Sequence, residues 1–339
     1  MRAISLLLVC SLLLIGQDSK VSQGLEQFRR GEYAEARRTL EGLDDARARV
    51  YLALARAATG ECAEVLSDLE REFDSQSDSG LMRAAGVGLA QCAVTADRFD
   101  IGFRVLQGLS RRFPEDADVL YLAAKLHMKA WNETLYRMFR NVPSSYRVNQ
   151  ISGEIFEIQN RFSEAAAEYR KAIEKSPAAL NLHFRLGRAL LMESRTPEAL
   201  EAARREFESE LKLNPGDAAA EYQVGQILVA QQKAVEAAAR FERALAIDGK
   251  FVEAMIALGR IRLSEKRNDE AIQLLERAVQ QMPNSEAARY SLMMAYRNAG
   301  RQEEAVRQKE ELERLRQPPA GEFTEFLERL GEKPPATAP

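Results

Sequence analysis

The sequence predicts an all-helical fold of stacked antiparallel helix pairs, and three observations carry that expectation. Residues 162–177 read FSEAAAEYRKAIEKSP, in which Phe162, Ala165, Tyr169, Ala172 and Ile173 fall at offsets of three, four and seven. A helix puts them on one face and leaves Glu164, Glu168, Arg170 and Lys171 to water. Helix-stopping residues then recur at Pro143, Pro177, Pro215, Gly249 and Pro283, separated by 34, 38, 34 and 34 residues. Small residues keep the same step, as Gly153, Gly187, Gly225 and Gly259 and as Ala165, Ala203, Ala237 and Ala271. One amphipathic helix cannot bury its apolar face alone, so each unit must stack on its neighbours.

The amino-terminal stretch MRAISLLLVCSLLLIGQ sets Arg2 before an apolar run from Ile4 to Ile15. That run is long enough for a secretory signal and short for a membrane span. The expectation is a signal peptide over 1–16, with cleavage after Gly16 or as late as Gly24, and an uncleaved signal anchor as the alternative. The chain is then extracytoplasmic, periplasmic or secreted. Cys10 is preceded by Val9 rather than a small residue, so it reads as a thiol lost with the signal and not as a lipid-attachment site.

Residues 17–116 read as divergent units. Gly31-Glu32-Tyr33 with Ala36, and Gly60-Glu61-Cys62 with Val65, have the form of inter-helix turns, and a third unit starts near Arg83. Residues 117–145 form a short irregular unit without a turn glycine, either a clipped hairpin or one long bent helix. Trp131 within it reads as core. Well-formed units follow over 146–179, 180–217, 218–251, 252–285 and 286–317. The four extra residues of the second lie between Gly187 and Ala203. An aromatic slot recurs as Tyr169, Phe207 and Phe241 and then Leu275, followed three residues later by Ala172, Ala244 and Ala278, with Glu210 the exception. Glycines and alanines are expected to let helices approach while the aromatic fills the gap between units. After Gln317-Pro318-Pro319, residues 320–331 place Phe323, Phe326, Leu327 and Leu330 on one stripe and read as a capping helix over the apolar end of the stack, with 332–339 a disordered tail.

This arrangement resembles the tetratricopeptide repeat. The residues that carry the likeness are HFRLGRALL (183–191) and MIALGRIRL (255–263), with a large apolar residue then Gly, followed by second helices with Ala, aromatic, Ala and Pro. The resemblance covers nearly all the mature chain. It implies a right-handed superhelical solenoid that binds a peptide or protein segment, an architecture that members share without sharing a chemistry. The chain departs from the pattern at the early large residue of each first helix, which is Asn149, His183, Glu221, Met255 and Arg289 and never tryptophan.

In that family the concave side is lined by first helices at the fifth and ninth positions of each unit. The resemblance places Phe184, Tyr222, Ile256 and Tyr290 at the fifth and Arg188, Gln226, Arg260 and Met294 at the ninth. They form either a ligand ladder, apolar beside partly basic, or a row of side chains that cover one another. The family's clamp for acidic chaperone tails uses a Lys and an Asn at these two positions, and no unit here has that pair. Cys62 and Cys92 fall on neighbouring helices. Export permits a disulfide between them, and two buried thiols are the alternative.

Composition excludes other classes. Forty-eight Lys and Arg against 51 Asp and Glu give a net charge of −3, without the basic excess a nucleic-acid binder needs. Two histidines, His127 and His183, read as packing residues. No HExxH, CxxC, GxSxG or phosphate loop accompanies them, so no catalytic residue, metal or cofactor is expected. The expected function is a non-catalytic scaffold for a protein partner. A structural component of an envelope or secretion assembly, or an enzyme with an unrecognised site, are the alternatives.

Overall fold

A computed structural model describes residues 18–316. The signal segment with Cys10, the helix expected over 320–331 with Phe323 and Phe326, and the tail at 332–339 lie outside the described residues. Among the described residues there are seventeen helices and no strand. They divide into two compact units that meet in sequence between Val142 and Pro143.

The first unit opens with α1 (18–29), which pairs with α2 (Tyr33–Leu40) across a turn with Gly31 at φ 79°. Two further hairpins follow, α3 (Ala46–Ala58) with α4 (Cys62–Ser75) and α5 (Ser79–Thr95) with α6 (Phe99–Arg112). Gly60 turns the former at φ 99° and Asp97 the latter at φ 57°. The unit ends in α7 (Ala117–Asn141), a single helix of 25 residues. Asp116 caps it by accepting from the N–H groups of Asp118 and Val119, and Arg83 from α5 holds the same carboxylate at 2.6 and 3.0 Å. Of the two expected forms of 117–145, the structure takes the long helix, because nothing between Pro114 and Pro143 supplies a turn. The core of this unit gathers Leu69, Leu89, Leu109 and Leu126.

Five hairpins make the second unit: α8 (Tyr146–Ile158) with α9 (Phe162–Lys175), α10 (Leu182–Glu193) with α11 (Pro197–Leu213), α12 (Ala218–Ala230) with α13 (Ala234–Ile247), α14 (Val252–Ser264) with α15 (Asn268–Gln281), and α16 (Glu286–Asn298) with α17 (Gln302–Arg316). Each second helix also touches the next first helix, which makes the stack continuous within the unit. Asn160, Gln232, Lys266 and Gly300 occupy equivalent left-handed positions in four of the turns, at φ 58 to 75°. The α10–α11 turn lacks one. There Thr196 caps α11 ahead of Pro197, and the four additional residues go mainly into three more residues of second helix, 17 against 14.

Packing of the recurring glycines adds to one sequence expectation. The aromatic faces the next unit, sharing a core cluster with its first helix, and also lies on the glycine of its own hairpin. A Cβ placed on Gly153 would stand 2.6 Å from the Tyr169 ring, on Gly225 2.5 Å from Phe241, and on Gly259 2.8 Å from Leu275. Tyr169, Phe207, Phe241 and Leu275 are fully buried, as are Ala165, Ala203, Ala237 and Ala271. The glycine removes the side chain that would otherwise hold the two helices of a pair apart.

Glu210 has a specific cause as well. Helix α10 begins after Asn181, whose φ of 71° leaves it without a side-chain cap. The buried Glu210 carboxylate accepts from the backbone N–H of Asn181 at 2.7 Å and of Phe184 at 3.4 Å. A negative group from α11 thus does at the amino end of α10 what a local cap does elsewhere.

The sulfurs of Cys62 and Cys92 stand at bonding distance, with Cα atoms 4.8 Å apart, and tie α4 to α5. Cys92 is fully buried.

Candidate functional site

Helices α10, α12, α14 and α16 carry the eight residues expected to line a ligand face, and burial sorts them. Ile256 is 8% exposed and packs with Met255 and Leu292, so it serves the core. Phe184 and Tyr222 are half-buried on second-helix aromatics. Phe184 meets Phe207 edge-on with centroids 5.4 Å apart, and Tyr222 lies 5.7 Å from Phe241 and 5.1 Å from Phe251. Burial raises the Tyr222 hydroxyl above the usual tyrosine range, with Glu253 adding to it. Tyr290 remains half exposed.

The ninth positions differ in charge state and company. Arg188 is exposed, but its guanidinium is neutralised by Glu157 at 3.1 Å, a carboxylate that Arg185 shares at 3.4 Å. Arg260 is exposed and donates from Nε to Ser291 Oγ at 3.0 Å. No carboxylate among the described residues lies within ion-pair distance of it. Gln226 and Met294 are half-buried.

The structure brings Gln226 and Arg260 together in one cleft of about 300 Å³ between α12 and α14, walled by Val229, Ala257 and Ile261. The spacing of Ala257, Arg260, Ile261 and Ser264 puts them on one side of α14, opposite Gln226 and Val229 of α12. Tyr290 belongs instead to a cleft of about 470 Å³ against α17, with Met293, Val306 and Leu312. Phe184 and Arg188 line neither. Val229, Ala257 and Ile261 were not among the expected site residues; their spacing from Gln226 and Arg260, by three, three and one, was the signal available for them.

Residues read as packing take varied places. His183 Nδ1 lies 2.7 Å from Glu206 Oε2 and fixes α10 on α11. His127 is exposed and rests on Phe103 with centroids 5.1 Å apart. Trp131, expected in the core, is 49% exposed on α7, on a face that no helix of the first unit covers. Among the described residues no group of three His, Cys, Asp or Glu could hold a metal ion, and no helix is long and apolar enough to cross a membrane.

Tetratricopeptide repeat families match the chain at residues 155–209, 200–250, 222–286 and 262–317. No curated protein matches it. Among solved structures, MamA is 20% identical over 58% of this chain and all of its own, with a TM-score of 0.45. MamA from Desulfovibrio magneticus RS-1 is 16% identical over 52% of this chain and 97% of its own, with a TM-score of 0.47. YrrB, described as a TPR protein with an unusual peptide-binding site, is 18% identical over 57% of this chain and 97% of its own, with a TM-score of 0.45. The matched repeats tile residues 155–317 and coincide with the hairpins from α9 to α17, so this part of the chain is built of tetratricopeptide repeats.

Proposed function

We propose that the chain is an exported, non-catalytic scaffold whose second unit holds an extended or helical protein segment, seated in the cleft between α12 and α14. One observation carries this reading: Arg260 is an exposed guanidinium in an apolar-walled cleft and has no carboxylate of its own among the described residues. Val229, Ala257 and Ile261 supply apolar contact, and Gln226 supplies a donor and an acceptor. A ligand that fits carries an apolar anchor and, beside it, an Asp, a Glu or a chain-terminal carboxylate, which arginine pairs bidentately. Tyr222 is half-buried on Phe241 and Phe251 and does not itself line this cleft.

The experiment is a peptide-display selection against the full chain, followed by affinity measurement on the selected peptides. Arg260→Ala is expected to weaken binding by tenfold or more, about 1.4 kcal/mol, while Arg188→Ala, whose charge Glu157 already neutralises, changes it little. Equal effects of the two variants, or a loss below tenfold at Arg260, move the binding surface elsewhere.

A further inference from the structure

Helix α7 has two apolar faces, and the first unit fills only one. Val119, Leu122 and Leu126 are buried against α5 and α6. On the opposite side Tyr121, Ala124, Met128, Trp131, Leu135 and Met138 follow one another at alternating steps of three and four. Tyr121 and Met128 are each 60% exposed and Trp131 49%. Steps of three and four sustained over the helix are the a and d positions of a heptad seam, here complete with no polar interruption. In the other hairpins such a face receives the second helix of the pair. In α7 the chain runs on for 25 residues, and within the first unit no other helix covers this face.

From this geometry we propose that the seam of α7 is the contact by which two copies of this chain associate, the two α7 helices lying antiparallel about a two-fold axis near residues 129–130. In that register each layer pairs unlike side chains: Tyr121 with Met138, Ala124 with Leu135, and Met128 with Trp131 of the other copy. Each layer thus sets a larger side chain against a smaller or more flexible one, and the methionine sulfur meets the indole, a favourable contact. A parallel pairing would set Trp131 on Trp131 and Ala124 on Ala124, one layer overfilled and the next hollow.

Charge agrees with the same arrangement. The residues flanking the seam are Lys125, Asn132 and Phe139 on one side and His127, Thr134 and Asn141 on the other, so the antiparallel register sets Lys125 beside Asn132 and brings no like charges together. Glu133, Arg137 and Arg140 fall on the side of α7 opposite the seam, where Glu133 and Arg137 line a cleft with Phe99 and Phe103. A two-fold contact needs one patch that is complementary to itself, and this seam meets that condition.

Area sets the strength. The seam from Tyr121 to Met138 runs about 26 Å along the helix. With Tyr121, Met128 and Trp131 about half wet and large side chains of roughly 150–250 Å² each, it can bury on the order of 400 Å² per copy, below the roughly 800 Å² per partner of a standard interface. A contact of this size is expected to be weak and to depend on protein concentration.

The test uses the full chain and its single tryptophan, which sits in the seam. Sedimentation across roughly 1–200 µM is expected to show monomer passing to dimer, with Trp131 emission moving to shorter wavelength over the same range. Met128→Glu is expected to abolish both changes while far-ultraviolet circular dichroism and the unfolding midpoint stay as in the wild type; Ala124→Glu is a second exposed position with the same expected outcome. Pairing of an Ala124→Cys chain with a Leu135→Cys chain by oxidative cross-linking, in preference to either with itself, is expected for the antiparallel register. A chain that stays monomeric throughout, or a dimer indifferent to both glutamates, overturns the proposal. So does a monomer whose Trp131 emission shifts only on adding phosphatidylglycerol vesicles, which would make the seam a lipid-facing surface.

Discussion

Replacing Glu210 with alanine is expected to destabilise the second unit, although alanine is what the matching position holds at Ala172, Ala244 and Ala278. The reason is local. Glu210 is 1% exposed and its two oxygens receive the N–H groups of Asn181 and Phe184 at the start of α10, where Asn181 offers no side-chain cap. Losing a cap costs about 0.5–2 kcal/mol, and hydrogen bonds to a charged acceptor contribute about 1.5–3 kcal/mol. The 3.4 Å contact to Phe184 is long and counts for less. Against this stands the relief of removing a desolvated carboxylate. The balance is a loss of about 2 kcal/mol, and Glu210→Gln, which keeps an acceptor, should lose less. The assay is urea unfolding followed by circular dichroism, paired with hydrogen exchange at the amides of 181–184, which should lose roughly 30-fold in protection. An alanine variant with an unchanged or higher midpoint and intact protection at 181–184 would refute the assignment of Glu210 as the cap of α10.

Gly225→Ala should lower the unfolding midpoint by about 1–2 kcal/mol, because a Cβ there meets the edge of the buried Phe241 ring at 2.5 Å and overpacking outweighs the helix-propensity gain of up to about 1 kcal/mol; adding Phe241→Leu should recover part of the loss, and additive effects would contradict it. Cys62 and Cys92 should both be unreactive to thiol reagents in unfolded, unreduced protein, and reduction should cost about 3–4 kcal/mol for a crosslink 30 residues apart; two titratable thiols from these positions would mean there is no bond. The Tyr296 hydroxyl, buried and donating to Glu276 at 2.6 Å, is pushed up to about 12, so the folded state holds its proton more tightly than the unfolded chain. Its contribution is complete below about pH 10, the ordinary tyrosine value, and is lost as pH rises from there through 12. Thermal melts of Tyr296→Phe between pH 9 and 12 should therefore show a shallower fall than wild type, and parallel curves would exclude Tyr296 as the cause.

Period and stops made the second unit legible because each depends on residues adjacent in the chain. Pro177, Pro215 and Pro283 end helices by their own covalent geometry, and the Gly and Ala steps mark contacts that every unit repeats. The turn at Gln232 and Lys266 was less legible: both adopt the left-handed conformation that Gly300 adopts two units on, and neither side chain advertises it. Position in a periodic stack supplies that conformation, not propensity. Trp131 misled for the opposite reason. A large aromatic reads as core wherever a hairpin is assumed, and α7 is a single helix with no hairpin partner within the first unit.

The candidate ligand face was legible as a set of positions but not as a site. Equivalent positions in a repeat share a direction from the helix axis and need not share an environment. Ile256 and Tyr290 both stand fifth in their units, yet Ile256 is buried beside Leu292 of the following first helix, whereas α16 is the last first helix described and leaves Tyr290 half exposed. Arg188 and Arg260 both stand ninth, yet Glu157 neutralises the first, while the second donates to a serine hydroxyl and keeps its charge. What separates them is the residue one unit away, Glu157 before Arg188 and Ser291 after Arg260. In a stack whose faces are laid down by repetition, the specificity of any one cleft is thus written in the differences between neighbouring units, and a serine at 291 leaves Arg260 free to meet an acidic group from outside.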